Sequence, residues 1–260
     1  MKSIISIILI LFSYQAFSCS CICAIENPVD AYLNFPDVYI GKVERIEKVD
    51  GYKQKLKIKV GKIYKGNPSK TILVVKDFNY SDCNKPFFYE GDDWLFFTSK
   101  DKNGDQIINY CNPSKNFEPS NYIKRTSEKR AKKYRNDFKR YLKVIDFALK
   151  SDVLNSLSLK KMNPIRGGGI TFQKREKFKS LQSKFENDFG IYLIKFNSDR
   201  SINSIKIVQS LGEVVDSFII KNTNESKNWQ NFGDKMRSDF FEKNQSKILF
   251  FWKKGISYGL

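Results

Sequence analysis

Three of the five cysteines, Cys19, Cys21 and Cys23, sit within five residues of one another directly behind an apolar run, while Cys83 and Cys111 lie far downstream. This distribution constrains the fold more than any other feature. The run itself is Ile4–Phe12, preceded by Lys2 and followed by the small residues Ala16 and Ser18. A basic start, a short apolar stretch and small residues before a boundary predict a secretory signal peptide over residues 1–18, with a cut that extends to residue 20 if Ser18 and Ser20 guide it. The run is short for a bilayer span, and no other long apolar segment follows, so a mature chain without a transmembrane helix is expected. Export favours disulfides. Alternate residues of an extended Cys-x-Cys segment point to opposite faces, so they pair more readily with distant partners than with each other. Two bridges from the cluster to Cys83 and Cys111 would staple the start of the chain to a domain ending near residue 115. Each would contribute about 4 kcal/mol in the chain-entropy model.

One cysteine is then left over. Cys19 lost with the signal peptide would account for it, and so would lipidation of Cys19 in the segment Ala16-Phe17-Ser18-Cys19. The chain is expected in the periplasm, as an outer-membrane lipoprotein, or secreted. The cysteine spacing is not that of a zinc ribbon or finger.

Histidine is absent from all 260 residues. That removes the commonest general base and metal ligand at neutral pH, and with them Ser-His-Asp, Cys-His and Cys/His-zinc chemistry. No paired-carboxylate motif stands out in its place. No catalytic residue, metal ligand or cofactor is therefore expected, and a non-enzymatic role is. The net charge of +18 is uneven. Residues 19–120 carry 15 Lys/Arg against 14 Asp/Glu, and residues 121–260 carry 30 against 14. The halves differ in kind, and the excess favours anionic partners.

Residues 21–118 read as short strands. Val38–Ile46 contains Gly41. Lys53–Tyr64 alternates lysines outward with Leu56, Ile58 and Val60 inward. Lys65-Gly66-Asn67-Pro68 is a turn. Thr71–Lys76, Trp94–Thr98 and Ile107–Tyr110 follow, the last two after Gly91-Asp92-Asp93 and Lys102-Asn103-Gly104-Asp105. Five such strands predict a small closed barrel of the OB type.

The ordered set Cys21-x-Cys23, Ala31-Tyr32, Asp37-Val38, Ile40-Gly41-Lys42-Val43, Val60-x-Lys62-Ile63-Tyr64-Lys65-Gly66, Cys83, Gly91-x-x-Trp94-Leu95-Phe96 and Cys111 resembles the netrin-like domain of tissue inhibitors of metalloproteinases and its bacterial relatives. The resemblance covers about 95 residues and implies bridges Cys21–Cys83 and Cys23–Cys111; matching Cys19 and Cys21 to the family's first two cysteines is the alternative. It also implies an alternative function. In animal inhibitors of this family the amine and carbonyl of the first cysteine chelate a protease's zinc, which here requires a mature chain beginning at Cys21. Lipidation at Cys19 would abolish that geometry. A generic binding barrel is the leading expectation, because a fold does not fix a function.

From Tyr122 the period changes. Tyr134, Phe138, Tyr141, Leu142, Ile145, Ala148 and Leu149 share a helical face, opposite Lys129, Arg130, Lys132, Lys133, Arg135, Lys139, Arg140 and Lys143. Residues 119–165 are read as this basic amphipathic helix and a hinge at Asn163-Pro164 and Gly167-Gly168-Gly169. The basic face either is solvated or meets an anionic membrane surface; a nucleic acid partner is not expected outside the cytoplasm.

In residues 166–260 a helix is predicted over Phe172–Asn187, strands over Gly190–Asn197 and Ile202–Val208 with Ile205 and Ile207 inward, a helix over Val214–Asn222, and a closing strand over Lys247–Trp252. That order makes an α+β layer. The run Tyr192-x-x-x-Phe196-x-x-Asp199-x-x-Ile202-x-x-Ile205-x-Ile207-Val208-x-Ser210-Leu211-Gly212, then Val215-Asp216 and Trp229, resembles the C-terminal domain of TonB-type proteins. The resemblance implies a periplasmic fold that accepts an added strand from a protein partner. The expected architecture is two domains: an all-β five-stranded OB-type barrel at 19–118 followed by a small α+β TonB-like domain at 166–260. The expected function is that of an exported, disulfide-stapled binding or scaffold module of the envelope.

Overall fold

The computed structural model describes residues 27–50, 53–75, 88–109, 112–117, 128–157, 175–197, 201–225 and 246–253. The signal segment, all five cysteines, the glycine hinge and Trp229 lie outside the described residues.

The chain enters through a short helix, α1 (Pro28–Asn34), that strand reading overlooked. Its signal is local: the Asn27 side chain accepts from the amides of Val29 and Asp30 at 3.0 and 2.9 Å, with Pro28 opening the first turn. Its last carbonyls, of Tyr32 and Leu33, accept from Lys65 Nζ at 2.9 and 3.1 Å.

Five strands then close a barrel: β1 (Asp37–Lys48), β2 (Lys53–Lys65), β3 (Thr71–Val75), β4 (Asp93–Lys100) and β5 (Gln106–Ile108). The order is β1-β2-β3-β5-β4, with β4 returning to pair with β1 and with β3 and β5 parallel. This closed arrangement is compatible with an OB-type barrel. A two-residue strand, β6 (Lys115–Asn116), adds to β4. Closure depends on β1 serving two neighbours. At Gly41 it faces Val60 on one side and Trp94 on the other, beside register shifts in the β1–β2 ladder. A Cβ at Gly41 would lie 2.5 Å from Ile58 Cγ2 and 3.3 Å from the Lys59 carbonyl, so the strand bends where only glycine leaves room.

The barrel interior holds Tyr39, Leu56, Ile58, Ile72, Phe96 and Ile108 among its buried side chains. One end is sealed by a polar latch. Asp37, buried, accepts from the Asn67 amide at 2.7 Å and from Gln106 Nε2 at 2.9 Å, and Gln106 Oε1 accepts from the Ser69 amide at 2.9 Å. The start of β1, the β2–β3 turn and β5 are thereby joined with their buried polar groups matched.

The long helix α2 (Glu128–Lys150) runs about 35 Å. Phe138, Tyr141, Ile145 and Ala148 are buried as the helical period predicts, and Val144 with them. Leu149, placed on that face by the sequence, is instead exposed at 37 %. It lies beyond the edge of a stripe centred on Tyr141, Val144, Ile145 and Ala148. A single turn, α3 (Asp152–Asn155), follows, capped by Ser151.

Past residue 174, α4 (Arg175–Ser180) ends well before Asn187, where a longer helix was expected. The Ser180 hydroxyl donates back to the Lys177 carbonyl at 2.8 Å, and the chain tightens into a 3-10 turn over Gln182–Lys184. Next come β7 (Phe189–Phe196), β8 (Ile202–Gln209), α5 (Glu213–Asn224) and β9 (Ser246–Trp252). They form an antiparallel sheet in the order β8-β7-β9, with α4 and α5 on one face.

The central strand β7 is buried on both sides. Tyr192, Ile194 and Phe196 pack with Phe185, Val215 and Ile219 on the helical side. Phe189, Ile191 and Leu193 join a different cluster, shared with α1, α2 and the outer face of the barrel at Val38, Leu95 and Phe97. The apolar face of α2 is therefore roofed by the barrel and the C-terminal sheet together. Among the described residues no helix is long and apolar enough to cross a membrane.

Candidate functional site

The sheet edge at β8 combines accessibility with built-in order. β8 pairs with β7 through Ile202–Gln209, and among the described residues no strand pairs with its other side. The opposite edge strand, β9, instead lies against α1. Asn203, Ser204, Lys206 and Ile207 of β8 are exposed, Ile207 at 40 %. Ile205 packs on the helical layer as expected, but Ile207 belongs to no apolar cluster, which corrects the inward orientation read from alternation. The ladder shifts register beside it, where Ile207 faces Tyr192 and Gln209 faces Ile191.

Both ends of β8 are pinned. At its start, the Asn197 amide donates to the Ser201 carbonyl at 2.9 Å, and Asn203 Nδ2 donates to Asn197 Oδ1 at 2.8 Å. At its end, the buried Asp216 carboxylate gathers the Tyr192 hydroxyl, the Ser210 hydroxyl and, at 2.9 Å, the Leu211 amide. The Gly212 amide donates to Ser210 Oγ at 2.9 Å. Burial first, and then the Asp216 carboxylate, push the Tyr192 phenol far up, so it remains a donor at any working pH. Gly212 opens α5 at φ +128°, and a Cβ there would lie 2.8 Å from the Lys184 carbonyl. The Ser210, Gly212 and Asp216 positions singled out in the sequence thus meet in one clamp that locks β8 and α5 onto β7.

The eight-residue edge carries one charged side chain, Lys206, and two register shifts against β7, but neither a proline nor, among the described residues, a covering strand. Its row of backbone donors and acceptors is a template for an added strand, with Ile207 offering apolar contact beside it.

The basic face of α2 is partly solvated and partly engaged. Lys132, Lys133, Lys139 and Lys143 are exposed, while Arg140 is half-buried with its guanidinium 4.9 Å from the Trp252 ring. Lys143 Nζ meets Asp188 Oδ2 at 3.1 Å. That bond, with lesser help from Arg140 and Lys253, holds the Asp188 carboxyl below its ordinary range. The participation of Asp188 and Lys253 had no sequence signal, because they reach α2 only once β7 and β9 pair.

The sequence-predicted site residues Cys19, Cys21, Cys23, Cys83 and Cys111 lie outside the described residues. Among the described residues no three Cys, Asp or Glu side chains converge as metal ligands. The most buried lysines are occupied structurally: Lys65 caps α1, and Lys115 lies 5.3 Å from the Tyr141 ring, each pushed down in pKa chiefly by burial. No protein-family model matches the chain, and no curated protein matches it.

Proposed function

We propose that this chain is an exported, non-catalytic binding module of the bacterial envelope that takes an added strand from a protein partner along β8. The observation that carries the reading is the long edge of β8, pinned at both ends and unpaired on its outer side among the described residues. A preorganised edge lets a partner segment bind through main-chain hydrogen bonds without the cost of ordering the receiving strand. The likeness of the Tyr192–Asp216 segment to TonB-type C-terminal domains and of residues 21–111 to netrin-like barrels supports a module of this class. In that reading the barrel is a scaffold, stapled by Cys21–Cys83 and Cys23–Cys111, and export rests on the segment before Cys19.

The test is photo-crosslinking in the cells that make the protein. A benzoyl-phenylalanine at Asn203 or Ile207 should yield one discrete protein adduct, and the same probe at the exposed Lys150 should yield none. Absence of any β8 adduct, or an identical adduct ladder from Lys150, would sink strand addition. Intact-mass measurement of the purified mature chain checks export separately: a start at Cys19 or Cys21, or a lipid on Cys19, is expected, and a chain retaining residues 1–18 overturns it.

A further inference from the structure

Where α2 passes the ends of β7 and β9, an open groove of about 620 Å3 separates them. Lys132, Lys133, Asn136, Asp137 and Arg140 line it from the helix, and Asp188 and Lys253 from the strand ends. The helical contributors stand in two adjacent rows four residues apart, so one face presents them all. The far wall is fixed by the Lys253 amide, which donates to the Asp188 carbonyl at 2.8 Å.

The charges do not cancel inside the groove. Asp188 is held chiefly by Lys143, which is not among the lining residues, and more weakly by Arg140 and Lys253. Lys132, Lys133, Arg140 and Lys253 make no salt bridge among the described residues, so the lining carries four cations against the two carboxylates of Asp137 and Asp188. Cations held in one concavity repel one another, and a bound anion relieves that repulsion. Arg140 is also oriented before any ligand arrives, because its guanidinium lies against the ring of the buried Trp252. A planar fork held in place suits the bidentate geometry of phosphate oxygens, and the lysines supply mobile point charges around it. All seven lining side chains are charged or polar, their apolar stems forming the walls and their cationic ends the groups that can orient a ligand. An acidic peptide spreads its charge along a line, whereas an excess of two positive charges around one hollow matches a compact polyanion.

We propose that this groove binds a compact phosphate-bearing anion, with Arg140 as the fork and Lys132, Lys133 and Lys253 around it. The phosphate belongs either to a soluble small molecule or to a lipid headgroup, since both present the same oxygens. The site uses no residue of β8, so its failure and the failure of strand addition are separable.

The experiment is isothermal titration of the whole mature chain with sodium pyrophosphate at low and moderate salt. Saturable binding at one site, weakening with salt, is expected. Arg140→Gln and Lys253→Gln should each weaken it about tenfold, the loss expected for a charge-assisted hydrogen bond. Arg140→Lys should fall between wild type and Arg140→Gln. Lys59→Gln, on the barrel, should change nothing. Circular dichroism melts confirm that each variant is folded, and Lys253→Gln keeps the test valid if Arg140→Gln is not, because the Lys253 amide bond is untouched. A second arm uses phosphatidylcholine vesicles with and without phosphatidic acid. Binding that needs phosphatidic acid, and is lost with Arg140→Gln and with excess pyrophosphate, places the phosphate on a lipid. Pyrophosphate binding without vesicle binding places it on a soluble ligand. The proposal is overturned if pyrophosphate gives no saturable heat, if Lys59→Gln weakens it as much as Arg140→Gln, or if a hexa-aspartate peptide binds more tightly at the same residues.

Discussion

At the scale of single residues, the fold rests on a few positions where a side chain or its absence has one workable identity. Gly66, at φ +78°, ends β2, and a Cβ there would lie 2.2 Å from Asp37 Oδ1 and 2.4 Å from the Pro36 carbonyl. Gly91 has a similar φ of +89° with nothing within 4 Å of a Cβ. The pair separates backbone strain from crowding. Gly91→Ala should cost about 1 kcal/mol in urea unfolding, the left-handed penalty alone. Gly66→Ala should cost clearly more, about 3 kcal/mol, because it also displaces the Asp37 latch. Equal losses would show that the latch tolerates the added methyl group. Asp216 allows a second comparison. Tyr192→Phe removes one of the hydrogen bonds to the carboxylate and should cost about 1 kcal/mol. Asp216→Ala strands the buried Tyr192 hydroxyl and Leu211 amide together and should cost about 3–5 kcal/mol. An Asp216→Ala loss no larger than that of Tyr192→Phe would remove the clamp from the account of β8.

At the scale of elements, alternation and short apolar runs located every barrel strand to within about two residues, because turn residues bound each run, even in β4, which is buried on both faces. The period was less informative about how far burial extends. Leu149 and Ile207 satisfy their patterns and are exposed all the same, since a stripe is buried only where a neighbouring element covers it. On α2, Val144→Ala should destabilise by about 1–2 kcal/mol, while Leu149→Ala should change stability by less than about 0.5 kcal/mol. Thermal melts of the two variants check this, and a larger loss at Leu149 would reverse the assignment of the helix face. The helix α1 and the early end of α4 were legible only through capping and back-bonding chemistry, at Asn27-Pro28 and at Ser180.

At the scale of the whole molecule, the charge asymmetry and the change of period marked out two halves, and the halves do have different architectures. What they share is the cluster that joins Val38, Leu95 and Phe97 of the barrel to α2 and to Ile191, Leu193 and Ile248 of the sheet. Ile145, fully buried within it, contacts this common core from the helix. Ile145→Ala should therefore lower the melting of both halves together, in a single transition seen alike by far-ultraviolet circular dichroism and tryptophan fluorescence. Two separated transitions, only one of them shifted, would mean that the halves unfold independently.

Residue pattern was enough to place the strands, the long basic helix and the α-β-β-α-β order, and residue type to exclude histidine chemistry. These depend on local periodicity and residue type, which act over a few positions. Long-range packing was needed to close the barrel through β1 at Gly41, to clamp β8 to β7 through Asp216, and to bring Arg140 to Trp252 and into one groove with Asp188 and Lys253. Each of those joins residues far apart in the chain, and local pattern carries no information about which distant faces find each other. The open edge of β8 and the cationic groove are both products of such meetings.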